Sequence, residues 1–298
     1  MLGLKNMNLG ILNKLRLILK EESFIRRNYR EIKSLYYSMR ERKFMSKGLS
    51  QVYHINLPKE KSELLLITVA YNNTFVISHQ LRLLPKYIDD KFHHIVIDNS
   101  SNKLARNEIL RICSQMDTGY VSLPYNFYFR NSNSHGIALN WACKHLIKVL
   151  NPTYIGFLDH DIYPIRKQQL LPILKRQLLF GKQEKIEDIW YLWPGFCFFY
   201  NGFLKERNID FKPGSIGKTG VDTGGLLFSL FLNKVDITEL IFPVTHFGNI
   251  RKGNVIESDM IEFININNQD CWLHSINAGY WKEVKPKEEI LVSILNQY

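Results

Sequence analysis

The chain has 298 residues, 45% of them hydrophobic and 13% aromatic, which suits a folded protein with a substantial core and no bias toward disorder. Its net charge of +11 is uneven, because residues 1–50 hold 12 Lys/Arg against 4 Glu while the other 248 hold 27 basic and 24 acidic residues. The nearly neutral body carries no basic stripe with interleaved aromatics, which argues against a nucleic-acid partner.

The cysteines Cys113, Cys143, Cys197 and Cys271 form no C-x-x-C pair. That argues against a structural zinc site or disulfide framework and for a reducing compartment. No continuously apolar, uncharged stretch reaches the roughly 18 residues of a membrane span. Lys14, Arg16 and Lys20 interrupt the N-terminal apolar segment, making it a poor secretory leader. The expected location is cytoplasmic, with the N-terminal arm able to hold the protein on the inner face of a membrane.

Leu4, Met7, Ile11, Leu12, Leu15, Ile18 and Leu19 follow helical spacing, and a basic continuation runs from Arg26 to Lys43. Residues 1–45 therefore read as a basic amphipathic helix, packed on a protein or lying on an anionic membrane surface. Residues 1–50 are taken as this arm, 60–285 as the main domain and 286–298 as a C-terminal helical tail.

From residue 64, strands and helices alternate. Leu64–Ala70 and Phe92–Ile97 read as buried strands, with a helix from Val76 to Leu84 that stops at Pro85. A second helix covers Ala105 to Met116, and Tyr120–Leu123 is a short strand before Pro124. A third helix runs from His135 to Leu150, followed by the strand Ile155–Asp159. This order predicts an α/β fold with a mostly parallel sheet and right-handed crossovers. Farther on, Trp190–Phe199 reads as a strand pair or an edge broken at Pro194-Gly195. Lys212–Gly220 reads as a loop, and Leu226–Leu232 as an apolar helix.

Chemistry-bearing residues gather where these strands end. The fourth strand closes in Asp159-His160-Asp161, whose carboxylates, one residue apart in an extended segment, can reach one hard cation. The first strand ends in Tyr71-Asn72-Asn73 and the second in Asp98-Asn99, while His135-Gly136 and Asn140 stand at the start of the third helix. Open α/β sheets bind ligands outside their carboxyl edge, so all four groups are expected in one crevice. Polar residues also end strands simply because chains turn there. Asp222, in Gly220-Val-Asp222-Thr-Gly-Gly, is a candidate general base or a plain helix N-cap.

The arrangement resembles the family-2-like glycosyltransferases of GT-A fold, over roughly residues 64–165 with a looser extension to about 281. The resemblance implies nucleotide-sugar binding through Tyr71, Asn72 and Asn73, with Asp98 and Asn99 at the uracil or ribose. Asn133 to Asn140 looks like the family's N-x-G-x-x-x-A-x-N segment with a one-residue shift, placing His135, Gly136 and Asn140 in the donor site with Asp159 and His160. The D-x-D pair implies a divalent cation, Mn2+ or Mg2+, on Asp159 and Asp161. A third ligand is a C-terminal histidine, for which His274 and His246 compete with an ordinary core role. His93 and His94 read as structural. The family's acidic pair after the D-x-D has no clear counterpart, since Glu187-Asp188 looks solvent-facing, and Asp222 takes the base role.

The function so implied is inverting sugar transfer from a nucleotide-diphosphate sugar to a glycan or lipid-linked acceptor, in polysaccharide, lipopolysaccharide or glycan synthesis. Rival readings are a non-catalytic nucleotide-sugar-binding protein and a metal-dependent phosphoesterase. The latter usually needs a two-metal cluster with more acids and histidines than are placed here.

Overall fold

The computed structural model describes residues 28, 31–32, 35–126, 131–205, 209–232, 235–252, 255–276 and 285–298. The amphipathic segment at 4–19, and Gly279 to Trp281, lie outside the described residues. The chain divides into two compact units, Met1–Ser46 and Lys47–Tyr298. Residues 35–46 of the first are helical.

The second unit is built on a seven-stranded sheet. Its strands are β1 (His54–Ile55), β2 (Leu64–Ala70), β3 (Phe92–Asp98), β4 (Gly119–Ser122), β5 (Tyr154–Asp159), then β7 (Leu179–Ile186) and β8 (Ile189–Tyr200) beyond a short β6 (Ile162–Pro164). Their order is β1-β4-β3-β2-β5-β8-β7. The four central strands, β4, β3, β2 and β5, are parallel, whereas β1, β8 and β7 are antiparallel to their neighbours. All seven residues of β2 are buried, as a central strand covered on both faces requires.

Helices α1 (Thr74–Tyr87) and α2 (Lys103–Gln115) carry the chain from β2 outward to β3 and β4. The return crossover contains α3 (Asn131–Trp141), continued by a π-helical segment at Ala142–Ile147 and a last turn to Leu150. It brings β5 to the other side of β2. The direction of winding therefore reverses between β2 and β5, and such a switch point opens a crevice at the carboxyl ends of those strands.

β6 comes after β5 by only two residues but belongs to a second, antiparallel sheet. That sheet has the order β11 (Val244–Lys252), β12 (Val255–Ile266), β13 (Gln269–Ser275), β6. The Asp159–Asp161 turn is thus the hinge between two sheets. A small hairpin, β9 (Gly214–Ile216) with β10 (Thr219–Val221), lies between β8 and β11.

Several local expectations change. α1 continues through Pro85 to Tyr87, because a proline near the C-terminal end forfeits one helical bond while the last residues keep their helical path. His135 lies one turn inside α3, which is already helical at Asn131. Trp190–Phe199 lies within one strand, β8, paired on both sides. Between the pairs Gly181↔Cys197 and Gln183↔Leu192, β7 advances two residues while β8 advances five, so Trp193 to Phe196 bulge out. Gly181 meets this bulge at φ +153°, and a Cβ there would lie 2.4 Å from the Phe196 carbonyl, so only glycine fits. The expected Lys212–Gly220 loop contains the β9–β10 hairpin. The C-terminal segment is no separate tail. Helix α4 (Lys285–Leu295) buries Leu291 and Leu295 in one cluster with Val76, Leu81, Ile109 and Leu273, and the Tyr298 carbonyl accepts bonds from Lys86 and Tyr87.

Candidate active site

At the switch point lies a crevice of about 760 Å³ lined by Tyr71 from the end of β2, Asn99 after β3, His135 of α3 and Asp159, His160 and Asp161 after β5. Lys182, Trp193, Asp222, Thr223, Glu262 and His274 also line it.

Asp159 is the last residue of β5 and Asp161 lies in the turn that follows, and both carboxylates reach the crevice. They part company there. Asp159 Oδ1 lies 3.3 Å from His135 Nε2, while Asp161, buried, has Oδ1 3.7 Å from His274 Nε2. His274 arrives from the second sheet because β13 pairs with β6 in the register His274↔Ile162, and the Ser275 N–H donates to the Asp161 carbonyl at 2.9 Å. Among the described residues no three His, Cys, Asp or Glu side chains are gathered into a closed metal cluster. Two carboxylates and one imidazole facing a shared opening still suit a hard divalent cation that keeps its remaining positions for phosphate oxygens.

Behind His274 lies a group that sequence reasoning missed. Glu262 of β12 stands directly opposite His274 in the strand register, and its Oε2 accepts from Nδ1 at 3.1 Å. Lys182 Nζ contacts both oxygens of the same carboxylate, at 2.8 and 3.1 Å, from its place opposite the β8 bulge. Glu262 is 2% exposed. Burial opposes its ionisation, but the hydrogen bonds from His274 and Lys182 outweigh burial and bring its carboxyl down to about 2. For His274 burial disfavours charge, and the bond to Glu262 with the nearby Asp161 and Asp159 overturns this and raises its pKa. The Trp193 ring packs against the imidazole, centroids 4.7 Å apart, and Lys182 Nζ lies 4.9 Å from the ring centroid. The only signal for Glu262 in the sequence was a lone acid inside the apolar run Ile261-Glu262-Phe263-Ile264.

The polar residues at the strand ends divide into those that face the crevice and those that build it. Tyr71 is partly exposed there, and its N–H donates to His160 Nδ1 at 3.3 Å. Asn99 is held by bonds from its amide to Ser134 and from Asn126 to its carbonyl. Asp98 does not line the crevice. It is 0% exposed, with Oδ1 accepting from the Ser100 N–H at 2.8 Å and Oδ2 from the Tyr120 hydroxyl at 2.9 Å. Its role is to shape the loop that presents Asn99. Burial, with the adjacent Asp98 charge, pushes the Tyr120 phenol up and the Cys113 thiol up to about 12.

Asn72 and Asn73 also turn inward. Asn72, at φ +52°, accepts from the Ser101 and Asn102 N–H groups and so clamps the β3 loop. Asn73 is the N-cap of α1, accepting from Val76 N–H at 3.3 Å. Gly136 is required by packing, since a Cβ there would lie 2.7 Å from the Lys212 Cα. One turn on, Asn140 donates to Asp210 and accepts from the Phe211 N–H, both at 2.8 Å. Both thus pin segment 210–212 to α3 instead of lining the crevice.

Asp222 is exposed at the crevice wall and is not a helix N-cap; that position belongs to Gly224. Its Oδ1 accepts from the Thr223 N–H at 2.7 Å. His246 is engaged elsewhere, 2.9 Å from Asp270 and stacked on Phe263. His93 pairs with Ser62 and His94 with Thr68, and Glu187-Asp188 form the exposed turn between β7 and β8.

No protein-family model matches the chain, and no curated protein matches it. Among solved structures it is similar to a mannosyltransferase from Pyrobaculum calidifontis in complex with GDP-Man and Mn2+, at 16% identity over 57% of this chain and 53% of that one, TM-score 0.36. It is similar to S. aureus TarS at 16% identity over 50% of this chain and 30% of that one, TM-score 0.34. For the galactosyltransferase LgtC in complex with donor and acceptor sugar analogs the figures are 12% identity, 48% and 60% coverage, and TM-score 0.35. The chain therefore spans from 30% to 60% of the solved chains it matches. Its function has to be argued from the crevice.

Proposed function

We propose that this chain is a glycosyltransferase that moves a sugar from a nucleotide-diphosphate sugar to a hydroxyl of a glycan or lipid-linked acceptor, in the building of a polysaccharide or related glycan. The observation that carries this reading is the meeting of Asp161 and His274 at 3.7 Å, in a crevice that also holds Asp159 and Asp222 at the switch point of a parallel sheet.

Asp159, Asp161 and His274 are the residues that would hold Mn2+ or Mg2+. When bound, such a cation supplies Lewis-acid neutralisation of the leaving diphosphate. Tyr71 offers a partly exposed ring to the nucleotide end, and Asn99, buried and bonded to Ser134 and Asn126, shapes the wall beside it. His135 stands beside Asp159 on the α3 side, and Asp98 and Asn72 act through the loop they hold. Asp222 is the base that takes the proton from the acceptor hydroxyl as its oxygen attacks the anomeric carbon. In a single displacement of this kind the anomeric configuration inverts.

The N-terminal unit supports contact with an anionic membrane surface. Ile32, Leu35, Tyr36 and Met39 follow the spacing of one helical face and are exposed by 67, 65, 52 and 70%, within a segment rich in Lys and Arg. Among the described residues no helix is long and apolar enough to cross a membrane.

A panel of UDP-, GDP-, CMP- and dTDP-sugars, screened with and without Mn2+ or Mg2+ for thermal stabilisation, tests the reading. A ligand at 100 times its Kd stabilises the native state by about 2.7 kcal/mol. One donor class should raise the melting temperature only with the cation, and product analysis should then yield nucleotide plus glycosylated acceptor. A panel in which no donor shifts the transition would overturn the proposal.

A further inference from the structure

We infer that Glu262 is a positioning residue for His274: its carboxylate takes the Nδ1 hydrogen bond and so turns an unprotonated Nε2 into the crevice as a metal ligand beside Asp161. The inference rests on the proposed reading that this crevice takes a divalent cation.

Three observations carry it. First, the bond is one-sided. Nδ1 is 3.1 Å from Glu262 Oε2, whereas Nε2 has no hydrogen-bond partner among the described residues and faces Asp161 Oδ1 at 3.7 Å. A carboxylate on one ring nitrogen fixes the tautomer and plane of an imidazole and raises the basicity of the other nitrogen. Second, the placement is built into the strands. The pairs Glu262↔His274 and His274↔Ile162 set three adjacent strands so that the imidazole lies between the carboxylate and the turn bearing Asp161. Third, Glu262 is held charged where an isolated carboxylate would not remain so. Lys182 contacts both of its oxygens, and the Trp193 ring against the imidazole leaves His274 little freedom to turn.

A buried ion pair needs only Glu262 and Lys182. The third member, directed at the crevice, is what a purely structural pair leaves without a reason.

The test uses the full chain and Mn2+ alone, with affinity read by titration calorimetry or by the electron paramagnetic resonance of free Mn2+. Glu262→Gln keeps the volume and removes the charge, and it should weaken Mn2+ binding about 10- to 100-fold. The same substitution in a His274→Gln background should then have no further effect, because Glu262 acts only through the imidazole. Equal Mn2+ affinity in wild type and Glu262→Gln, or the same loss in both backgrounds, would overturn the inference. A wild-type chain that binds neither Mn2+ nor Mg2+ would instead bring down the proposed function from which it starts. A second readout needs no variant: nitrogen NMR of the metal-free wild type, above the titration of His274, should show the proton on Nδ1. Finding it on Nε2 would overturn the assignment even if Glu262→Gln failed to fold.

Discussion

The side-chain amide of Gln80 in α1 donates to the carbonyl of Asp159 at 2.7 Å and, with its other hydrogen, to the carbonyl of Ile162 at 2.8 Å. One buried side chain therefore closes both ends of the turn that carries the acidic pair. Its Oε1 accepts from the Thr68 hydroxyl at 2.8 Å, and Thr68 Oγ1 in turn bonds His94 Nε2 at 2.9 Å. With the Thr68 hydrogen committed to Gln80, His94 is the donor in that last bond, and the chain of bonds ties β3, β2 and α1 to the site.

Gln80→Leu should strip both carbonyls of their partner. Each buried group left unsatisfied costs about 1–3 kcal/mol, so we expect a lowered melting temperature together with weakened Mn2+ binding. Thermal unfolding with and without metal reads both. Unchanged stability would mean that the turn does not depend on this amide.

Asp222→Asn should abolish sugar transfer while leaving donor binding near wild type, since the substitution removes a proton acceptor at the wall of the crevice and no ligand of the diphosphate. Calorimetric titration of the donor beside a turnover assay separates the two, and wild-type turnover in this variant would refute the base assignment.

Stability should fall in acid through two overlapping windows. Burial brings the pKa of His94 from 6.5 down to about 3, so below 6.5 the unfolded chain takes up a proton that the folded one refuses. Stability is then lost as the pH drops from 6.5 toward 3, with a limiting slope of about 1.4 kcal/mol per pH unit for one proton. Glu262, at about 2 against an ordinary value of 4.5, contributes stability that is present above 4.5 and lost as the pH falls toward 2. Urea unfolding as a function of pH should show His94→Gln flattening the upper window and Glu262→Gln only the lower. The reverse assignment would contradict both partners' environments.

Leu35→Asp combined with Met39→Asp should reduce co-sedimentation with vesicles containing phosphatidylserine, by placing charge on the exposed apolar face. Neutral vesicles should retain less wild-type protein than anionic ones, because each Lys or Arg near an anionic surface contributes about 1 kcal/mol. Equal retention of the double variant and wild type would remove the membrane reading.

The central strands were legible in the chain because a strand buried on both faces reads as an unbroken apolar run: Leu64–Ala70 matches β2, and the run from Phe92 lies within β3. The acidic pair after β5 and His274 were legible by residue type, and both line the crevice. Which strand-end residues face that crevice was not legible. Asp98, Asn72, Asn73, Gly136 and Asn140 have the right chemistry and position, but loop backbones and close packing use them internally. Glu262 and Lys182 were hidden for a different reason. Their meeting with His274 depends on the register of β12 against β13 and on a bulge opposite β7, and cross-strand neighbours of this kind exist only once distant segments have packed. Local pattern thus determined the elements and the types of group available, while long-range packing decided which of those groups turn toward solvent and which turn toward one another.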